Sequence, residues 1–493
     1  MKHKHEISTF LKKVFTENWD KIFIIDSVTD TKFTYCDFFS KIIQFKEKLI
    51  DMELTKKDFL CLIMDNSVDL AAIYFSSLLL GTKAVPIDPY KGNDEINEIL
   101  DQLDNRKIIS DKNITYNFLP SNTLVESHKN HQSIALLHDL KIFDELNFDD
   151  VFLITFTSGS TGKQKGVMHS FNNLFQSAIS FQQKFDFNKN NIFLHNIPMT
   201  YMAGILNLLI LPMISQSKIV VTNRTNISNI TSFWNMPIKY SVNTFWLIPT
   251  VLELLLKLDR GSEGVYFTKK NKITICVGTS SLNVITKQNF EEKYGVELFE
   301  SYGLSETLFV STNFLNNNQK SSVGKTLAGV DIKILDDGEI AIKVPWMFKG
   351  YFNLNKEDYF TNQFFLSGDL GEINIRDFLF IIGRKKDIII KGGINLSPRK
   401  IEEFLHTMHK FNEITVLGFP SKLLGEKIVC FYATEKTLFH DEIKKFNKKI
   451  IEKLGLNYNI DEFIFFNEIP KNLNGKIDKP KIREMFSQKI NDS

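Results

Sequence analysis

Short, continuous apolar runs alternate along much of the chain with stretches in which apolar side chains recur every three or four positions. The first pattern predicts buried strands and the second predicts helices with one face turned to a core. Residues 60–64 read as a strand, and residues 70–80 as a helix that Gly81 ends. Residues 84–87 read as a further strand, after which Asp88-Pro89 turns the chain. Residues 96–103 are helical, with Ile96, Ile99, Leu100 and Leu103 on one face, and residues 107–110 form another short strand. Later, residues 151–156 are an apolar β-branched and aromatic run. Phe171, Leu174, Phe175, Ala178 and Ile179 then fall at helical spacing. Strands that alternate with helices predict an α/β fold with layered, mostly parallel sheets flanked by helices.

The pattern changes after Gly383. Residues 387–390 read as a strand, and Pro398 opens a helix with Ile401, Phe404, Leu405 and Met408 on one face. Residues 413–419 and 427–434 read as strands, and residues 440–454 as an amphipathic helix that Gly455 stops. This is a small α+β unit of about a hundred residues, long enough for its own core. The expected division is a large domain, residues 1–383, and a small one, residues 384–493, joined near residues 384–387. A chain of 493 residues is too long for one ordinary core.

Composition narrows the class. With 43% hydrophobic and 24% charged residues the chain reads as a soluble globular protein, and a net charge of +2 gives no footprint for nucleic acid. Cys36, Cys61, Cys276 and Cys430 show no paired spacing, which argues against a disulfide or metal framework and fits a reducing compartment. No apolar segment follows Met1-Lys2-His3-Lys4-His5, so no signal peptide is read. The most apolar run, residues 206–214, is interrupted by Asn207 and Pro212 and is too short to span a bilayer. The expectation is a cytoplasmic protein with no integral membrane segment.

The most informative chemistry lies between the strand at 151–156 and the helix that begins near Phe171. There the chain reads Thr157-Ser158-Gly159-Ser160-Thr161-Gly162-Lys163-Gln164-Lys165-Gly166. A strand, a small-residue loop and a helix make a phosphate-binding layout. Glycines admit close backbone approach, successive N–H groups cradle an anion, and lysine adds a point charge. It is not a Walker loop, because only two residues separate Gly159 from Gly162 and Gln164 follows Lys163. The same composition also makes ordinary surface turns, so the context decides. That context is a series of further loops: Tyr302-Gly303-Leu304-Ser305-Glu306, Ser367-Gly368-Asp369, and Gly383-Arg384-Lys385-Lys386-Asp387. Beyond them come Lys391-Gly392-Gly393-Ile394-Asn395 and, near the C-terminus, residues 470–478 carrying Lys476. A tyrosine stacks on a base, a glutamate holds Mg²⁺ beside phosphates, and a turn aspartate accepts from ribose hydroxyls.

Together, and in this order, these motifs resemble the adenylate-forming superfamily: acyl- and aryl-CoA synthetases, peptide-synthetase adenylation domains and luciferases. The resemblance covers nearly the whole chain, including residues 79–89 ahead of the phosphate loop. It implies that MgATP activates a carboxylic acid to an acyl-adenylate with release of pyrophosphate, and that the acyl group then passes to a thiol. Coenzyme A is the expected acceptor. The alternatives are the phosphopantetheine thiol of a separate acyl carrier protein, or a nucleotide-binding protein that has lost catalysis.

By this resemblance Thr157, Ser158, Gly159, Ser160, Thr161, Gly162 and Lys165 clasp the β- and γ-phosphates. Tyr302 packs on adenine, Gly303 beside it belongs to the same nucleotide-binding set, Ser305 reaches the α-phosphate, and Glu306 helps hold Mg²⁺. Asp369 and Arg384 bind the ribose, and Gly278, Thr279 and Ser280 line the adenine and acyl side. Lys476 is the lysine of the first half-reaction, placed between two anions that repel each other. Lys386 is the hinge of a mobile small domain, and Gly392-Gly393 replace Lys476 for the thiol step. Tyr201, Met202, Gly204, Trp246 and Thr279 are the expected acyl pocket. Gln164 stands where the family usually has proline, and Ser305 where it has threonine. Tyr201 stands where many CoA ligases carry histidine, and amino-acid-activating members use an aspartate in this part of the pocket for the substrate ammonium. Tyrosine cannot pair an ammonium, so an apolar or aromatic acid is expected. His169 and His195 are read as structural, since no motif places a partner for them.

Overall fold

The computed structural model describes residues 2–111, 137–158, 164–355, 357–408, 411, 413–421, 423–434, 436–471 and 477–491. A nine-stranded sheet runs in the order Lys325–Thr326, Leu308–Thr312, Leu298–Leu304, Thr274–Val277, Thr244–Leu247, Ile192–His195, Lys218–Val221, Ile22–Asp26, Thr31–Thr34. Its six central strands are parallel, and antiparallel strands close both edges. A six-stranded sheet runs Gly350–Tyr351, Gln164–Ser170, Val151–Ser158, Lys83–Pro86, Phe59–Ile63, Arg106–Ser110, parallel except at its first two strands.

These two sheets stack with helices between and outside them. Leu60, Leu62 and Leu153 of one sheet and Ile24, Phe193 and Ile219 of the other share one buried core with the helices Val68–Leu80 and Phe171–Phe185. Val68–Leu80 sits between layers and is buried nearly all round, as its sequence, apolar on every face, requires. Ser67 caps its start through the Leu70 N–H, and Gly81 ends it at φ +71°. The outer face of the six-stranded sheet packs Cys61, Ile63 and Val85 against Ile96, Ile99 and Leu100 of the helix Asn93–Leu100. The outer face of the nine-stranded sheet packs Phe245, Leu247 and Ile275 against the helices Pro249–Leu258 and Val284–Tyr294. The apolar run at 206–214 is helical and buried in the central core, with a wider π turn, Leu206–Ile210, ahead of Pro212. Among the described residues no helix is long and apolar enough to cross a membrane.

Two features depart from the sequence reading. The segment after the phosphate loop is a strand, Gln164–Ser170, antiparallel to Val151–Ser158, and the helix starts only at Phe171. Its pairing with Val151–Ser158, down to Ser158 opposite Gln164, makes this segment a strand despite its local loop composition. A third, five-stranded sheet built from Asp331–Ile334, Glu339–Lys343, Phe360–Thr361, Phe364–Ile373 and Leu379–Arg384 is antiparallel throughout.

Residues from 389 on form a fourth sheet with helices on both faces. Along Gly425–Ala433, Ile428, Cys430 and Tyr432 face the helices Pro398–Met408 and His440–Leu454, while Val429, Phe431 and Ala433 face Lys479–Asn491. This is the period-two alternation of a strand buried on both sides.

Candidate active site

Four neighbouring strands of the nine-stranded sheet, Ile192–His195, Thr244–Leu247, Thr274–Val277 and Leu298–Leu304, deliver the motif residues at their carboxyl ends. The crevice outside the carboxyl ends of parallel strands is where α/β sheets bind ligands. Trp246 lies on the second strand, Gly278 and Thr279 follow the third, and Tyr302 to Glu306 end the fourth. Thr279 holds φ +73°, a left-handed conformation that is rare for a β-branched side chain. Such strain gathers at binding sites, where the surrounding structure enforces it. At Gly303 a Cβ would lie 1.9 Å from the Leu308 carbonyl oxygen, so only glycine admits the tight return of the chain after Leu304.

The third sheet brings Asp369 and Arg384 together by register, since they are direct partners on adjacent antiparallel strands. Arg384 Nε lies 2.7 Å from Asp369 Oδ1. The Tyr302 hydroxyl donates to Asp369 Oδ2 at 2.7 Å. Burial, then the Asp369 charge, push the Tyr302 phenol well above its ordinary pKa, so it stays a donor. The expected base-stacking ring and the expected ribose carboxylate, far apart in sequence, are thus one hydrogen-bonded unit.

Glu306 follows the same turn. Its Oε1 accepts from the Tyr351 hydroxyl at 2.6 Å, and the described residues give Oε2 no partner. One open carboxylate oxygen beside a phosphate site suits Mg²⁺, which takes one or two carboxylates, substrate phosphates and water. No cluster of three or more His, Cys, Asp or Glu occurs among the described residues, as that mode of binding requires no such cage. Lys165 leaves its strand toward the same place and donates to the Tyr359 hydroxyl at 2.9 Å. His169, on that strand, bonds through Nε2 to the Ser305 carbonyl at 2.6 Å and so ties the six-stranded sheet to the turn. The preceding strand carries Thr157 and ends at Ser158, and Gly159, Ser160, Thr161 and Gly162 lie outside the described residues.

In the expected acyl pocket Tyr201 is half-buried, and Met202, Gly204 and Trp246 are buried. The Trp246 ring packs on Phe181 and Phe309, with centroids 5.4 and 5.5 Å apart. Its indole N–H and the Thr200 hydroxyl are buried with no partner among the described residues, two polar points in an apolar wall. The Ser280 side is exposed. His195 bonds through Nε2 to the Gly204 carbonyl at 3.0 Å. Burial lowers both His169 and His195 to about 4, so both are neutral and structural.

Beyond Arg384, residues Lys385–Asp387 make one 3₁₀ turn in which Lys386 is exposed. Lys385 Nζ pairs with Asp337 at 2.6 Å and Glu339 at 2.8 Å, and Asp387 pairs with Lys479 at 2.6 Å. Gly392 and Gly393 form the exposed tip of a hairpin at φ +60° and +77°, the two positive values that a tight two-residue turn demands. Lys476 lies outside the described residues.

Four segments far apart in sequence thus meet at one crevice, and comparison with known proteins shows the family. The model of the AMP-binding enzyme family matches residues 11–352, and that of the AMP-binding enzyme C-terminal domain matches residues 400–476. The chain belongs to the AMP-binding enzyme family. It is 29% identical over 343 residues to the 2-succinylbenzoate–CoA ligase of Listeria monocytogenes, covering 68% of this chain and 70% of that protein. It is 24% identical to the long-chain-fatty-acid–CoA ligase FadD13 of Mycobacterium tuberculosis, covering 94% of this chain and 95% of that one. The fold is shared with ATP-bound MatB of Rhodopseudomonas palustris, with a TM-score of 0.82 at 20% identity, covering 97% of this chain and 99% of that one. It is shared too with the o-succinylbenzoate CoA synthetase MenE of Bacillus subtilis in complex with its acyl-adenylate, with a TM-score of 0.80 at 22% identity, covering 96% and 97%.

For this AMP-binding enzyme, sequence reading passed over Tyr351 and Tyr359, and it named Ser367 in a motif without a role of its own. Ser367 accepts from Arg384 through its carbonyl at 3.2 Å, and its hydroxyl accepts from the Asp369 N–H at 3.0 Å. The two tyrosines stand in a segment of no periodicity, and only the packing of three sheets brings them to Lys165 and Glu306.

Proposed function

We propose that this chain is an acid–thiol ligase that forms an acyl-adenylate from MgATP and a carboxylic acid and then passes the acyl group to coenzyme A. The observation that carries the reading is the Tyr302–Asp369–Arg384 unit beside the Lys165 and Glu306 side chains. It offers an aromatic face, a ribose acceptor, a phosphate cation and an open metal-ligand oxygen in one place. Membership of the AMP-binding enzyme family and the CoA ligases among its relatives support it.

In the first step a carboxylate oxygen attacks the α-phosphorus and pyrophosphate leaves. The acid is already ionised at neutral pH, so no general base is required. Repulsion between the two anions is the main obstacle, and Lys476 offsets it. Tyr302 packs on adenine, Asp369 and Arg384 hold the ribose, Ser305 faces the α-phosphate, and residues 157–165 take the β- and γ-phosphates. Glu306 would hold Mg²⁺, which screens the phosphate charge. In the second step the thiol sulfur attacks the acyl carbonyl, AMP leaves, and the thiol proton passes to solvent. Residues 1–383 and 384–493 act as two domains, and the small one turns about Lys386 between the steps. The Gly392-Gly393 hairpin tip then replaces Lys476 beside the acyl group.

Tyr201, Met202 and Trp246 favour an apolar or aromatic acid. The two ligases compared above act, by name, on 2-succinylbenzoate and long-chain fatty acids. The test is ATP–pyrophosphate exchange with Mg²⁺ across fatty, aryl, hydroxy and amino acids in the absence of thiol. Each active acid is then offered coenzyme A and, separately, a phosphopantetheinylated acyl carrier protein. Exchange with one acid class and thioester formation on coenzyme A are the expected results. Transfer only to the carrier protein would replace coenzyme A in the scheme, and MgATP binding with no exchange would overturn it.

A further inference from the structure

Lys165 lies on a strand of the six-stranded sheet and Glu306 in the turn after Leu298–Leu304 of the nine-stranded sheet, yet a pair of tyrosines joins them. The Lys165 ammonium donates to the Tyr359 hydroxyl at 2.9 Å. It also lies 4.6 Å from the Tyr359 ring centroid and 5.5 Å from that of Tyr351. The two rings meet edge to face with centroids 4.6 Å apart. At the far end the Tyr351 hydroxyl donates to Glu306 Oε1 at 2.6 Å. Tyr351 is itself seated on Phe348, with centroids 4.9 Å apart, and Phe348 donates its backbone N–H to the Glu306 carbonyl at 3.0 Å.

Two properties of this chain of contacts bear on nucleotide binding. Among the described residues no carboxylate pairs with Lys165, so its charge is oriented but not neutralised. A hydroxyl and two π faces hold an ammonium without cancelling the field that a phosphate feels. A free lysine side chain surrenders about 1.5–2 kcal/mol of rotamer freedom when it is ordered, and one ordered beforehand avoids much of that cost at binding. Glu306 is treated alike: one oxygen is bonded, which sets the carboxylate plane, and the other stays open.

We propose that Tyr359 and Tyr351 are positioning residues that hold the phosphate lysine and the metal-ligand glutamate on one aromatic bridge, so that MgATP meets both groups already oriented. The inference rests on the assignment of Lys165 and Glu306 to the nucleotide made above. It adds two side chains that touch neither acid nor thiol, and it couples the phosphate and metal subsites.

The test uses the full chain with Tyr359→Phe, Tyr359→Leu and Tyr351→Phe. MgATP binding is measured by calorimetry without acid, and ATP–pyrophosphate exchange is then followed against ATP and against Mg²⁺. Tyr359→Phe keeps the ring and loses the hydroxyl, and is expected to weaken MgATP about fivefold. Tyr359→Leu loses the ring as well and is expected to weaken it by about tenfold or more. In both variants KM for ATP rises while kcat stays within about twofold, a split that loss of general packing does not produce. Tyr351→Phe is expected to raise the Mg²⁺ needed for half-maximal exchange about fivefold, and its effect is less than additive with that of Tyr359→Leu. Wild-type protein that binds no MgATP would overturn the nucleotide assignment itself. Wild type that binds, with Tyr359→Phe and a folded Tyr359→Leu of unchanged or tighter affinity, would overturn the bridge alone. If Leu at 359 prevents folding, the Phe variants decide the question.

Discussion

Asp369→Asn probes the centre of the site with a change of one atom and one charge. Asp369 is 3% exposed, accepts from Tyr302 at 2.7 Å and faces the Arg384 Nε at 2.7 Å. Asparagine must turn its amide N–H₂ toward one of these donors, so one bond is lost. Arg384 is 45% exposed and recovers most of its hydration, so the ion pair contributes only about 0–1 kcal/mol. The larger effect falls on the ligand. A hydrogen bond to a charged group contributes about 1.5–3 kcal/mol. With 1.4 kcal/mol equal to tenfold, KM for ATP is expected to rise about 10- to 140-fold. The KM for the acid stays near its wild-type value, because the acid lies on the far side of the α-phosphate. The deciding assay is ATP–pyrophosphate exchange with ATP and with 2′,3′-dideoxy-ATP, on both wild type and variant. Wild type should lose about the same factor on removal of the ribose hydroxyls as it does on Asp369→Asn. The variant should lose little more when challenged with the dideoxy nucleotide. If the two losses multiply, the ribose hydroxyls do not bond to Asp369, and the assignment fails.

Lys476→Ala is expected to cripple adenylate formation while thioester formation from a preformed acyl-adenylate stays largely intact; equal loss of both steps in single-turnover assays would remove its assigned role. Lys386→Pro should spare pyrophosphate exchange and impair transfer to coenzyme A, and an unimpaired thiol step would take the hinge out of the mechanism. Burial depresses His169 and His195 to about 4, so the unfolded chain binds more protons than the folded one between about pH 6.5 and pH 4. Stability is therefore fully present above about pH 6.5 and falls as pH drops, with each histidine adding about 1.4 kcal/mol per pH unit to the slope. Urea midpoints from pH 7.5 to 5 check this, and a His195→Gln variant of unchanged slope would contradict the buried, neutral assignment.

Where local patterning decides an element, the sequence sufficed. The helix Val68–Leu80 with its Gly81 stop, the proline-opened helix Pro398–Met408 and the alternating strands of the small unit all lie within a few residues of their predicted bounds. Each is set by periodicity and a cap, and both are properties of neighbouring residues. The strand Gln164–Ser170 was not legible, because its pairing with Val151–Ser158 and with Gly350–Tyr351 is what makes it a strand. The antiparallel third sheet was missed for the same reason, since long-range partners outweigh its weak local pattern.

The site divides along the same line. Residue types and their order along the chain named Lys165, Tyr302, Glu306, Asp369 and Arg384 as candidates, because each motif carries its chemistry in a few adjacent positions. Which of them touch was decided only by tertiary structure. Strand register sets Asp369 opposite Arg384, and the closing turn at Gly303 swings Tyr302 onto the same carboxylate. Three packed sheets bring Tyr351 and Tyr359 between a lysine and a glutamate more than a hundred residues apart. A hydrogen bond needs its two atoms within about 3 Å. No spacing along a chain specifies that distance until the long-range pairings are made.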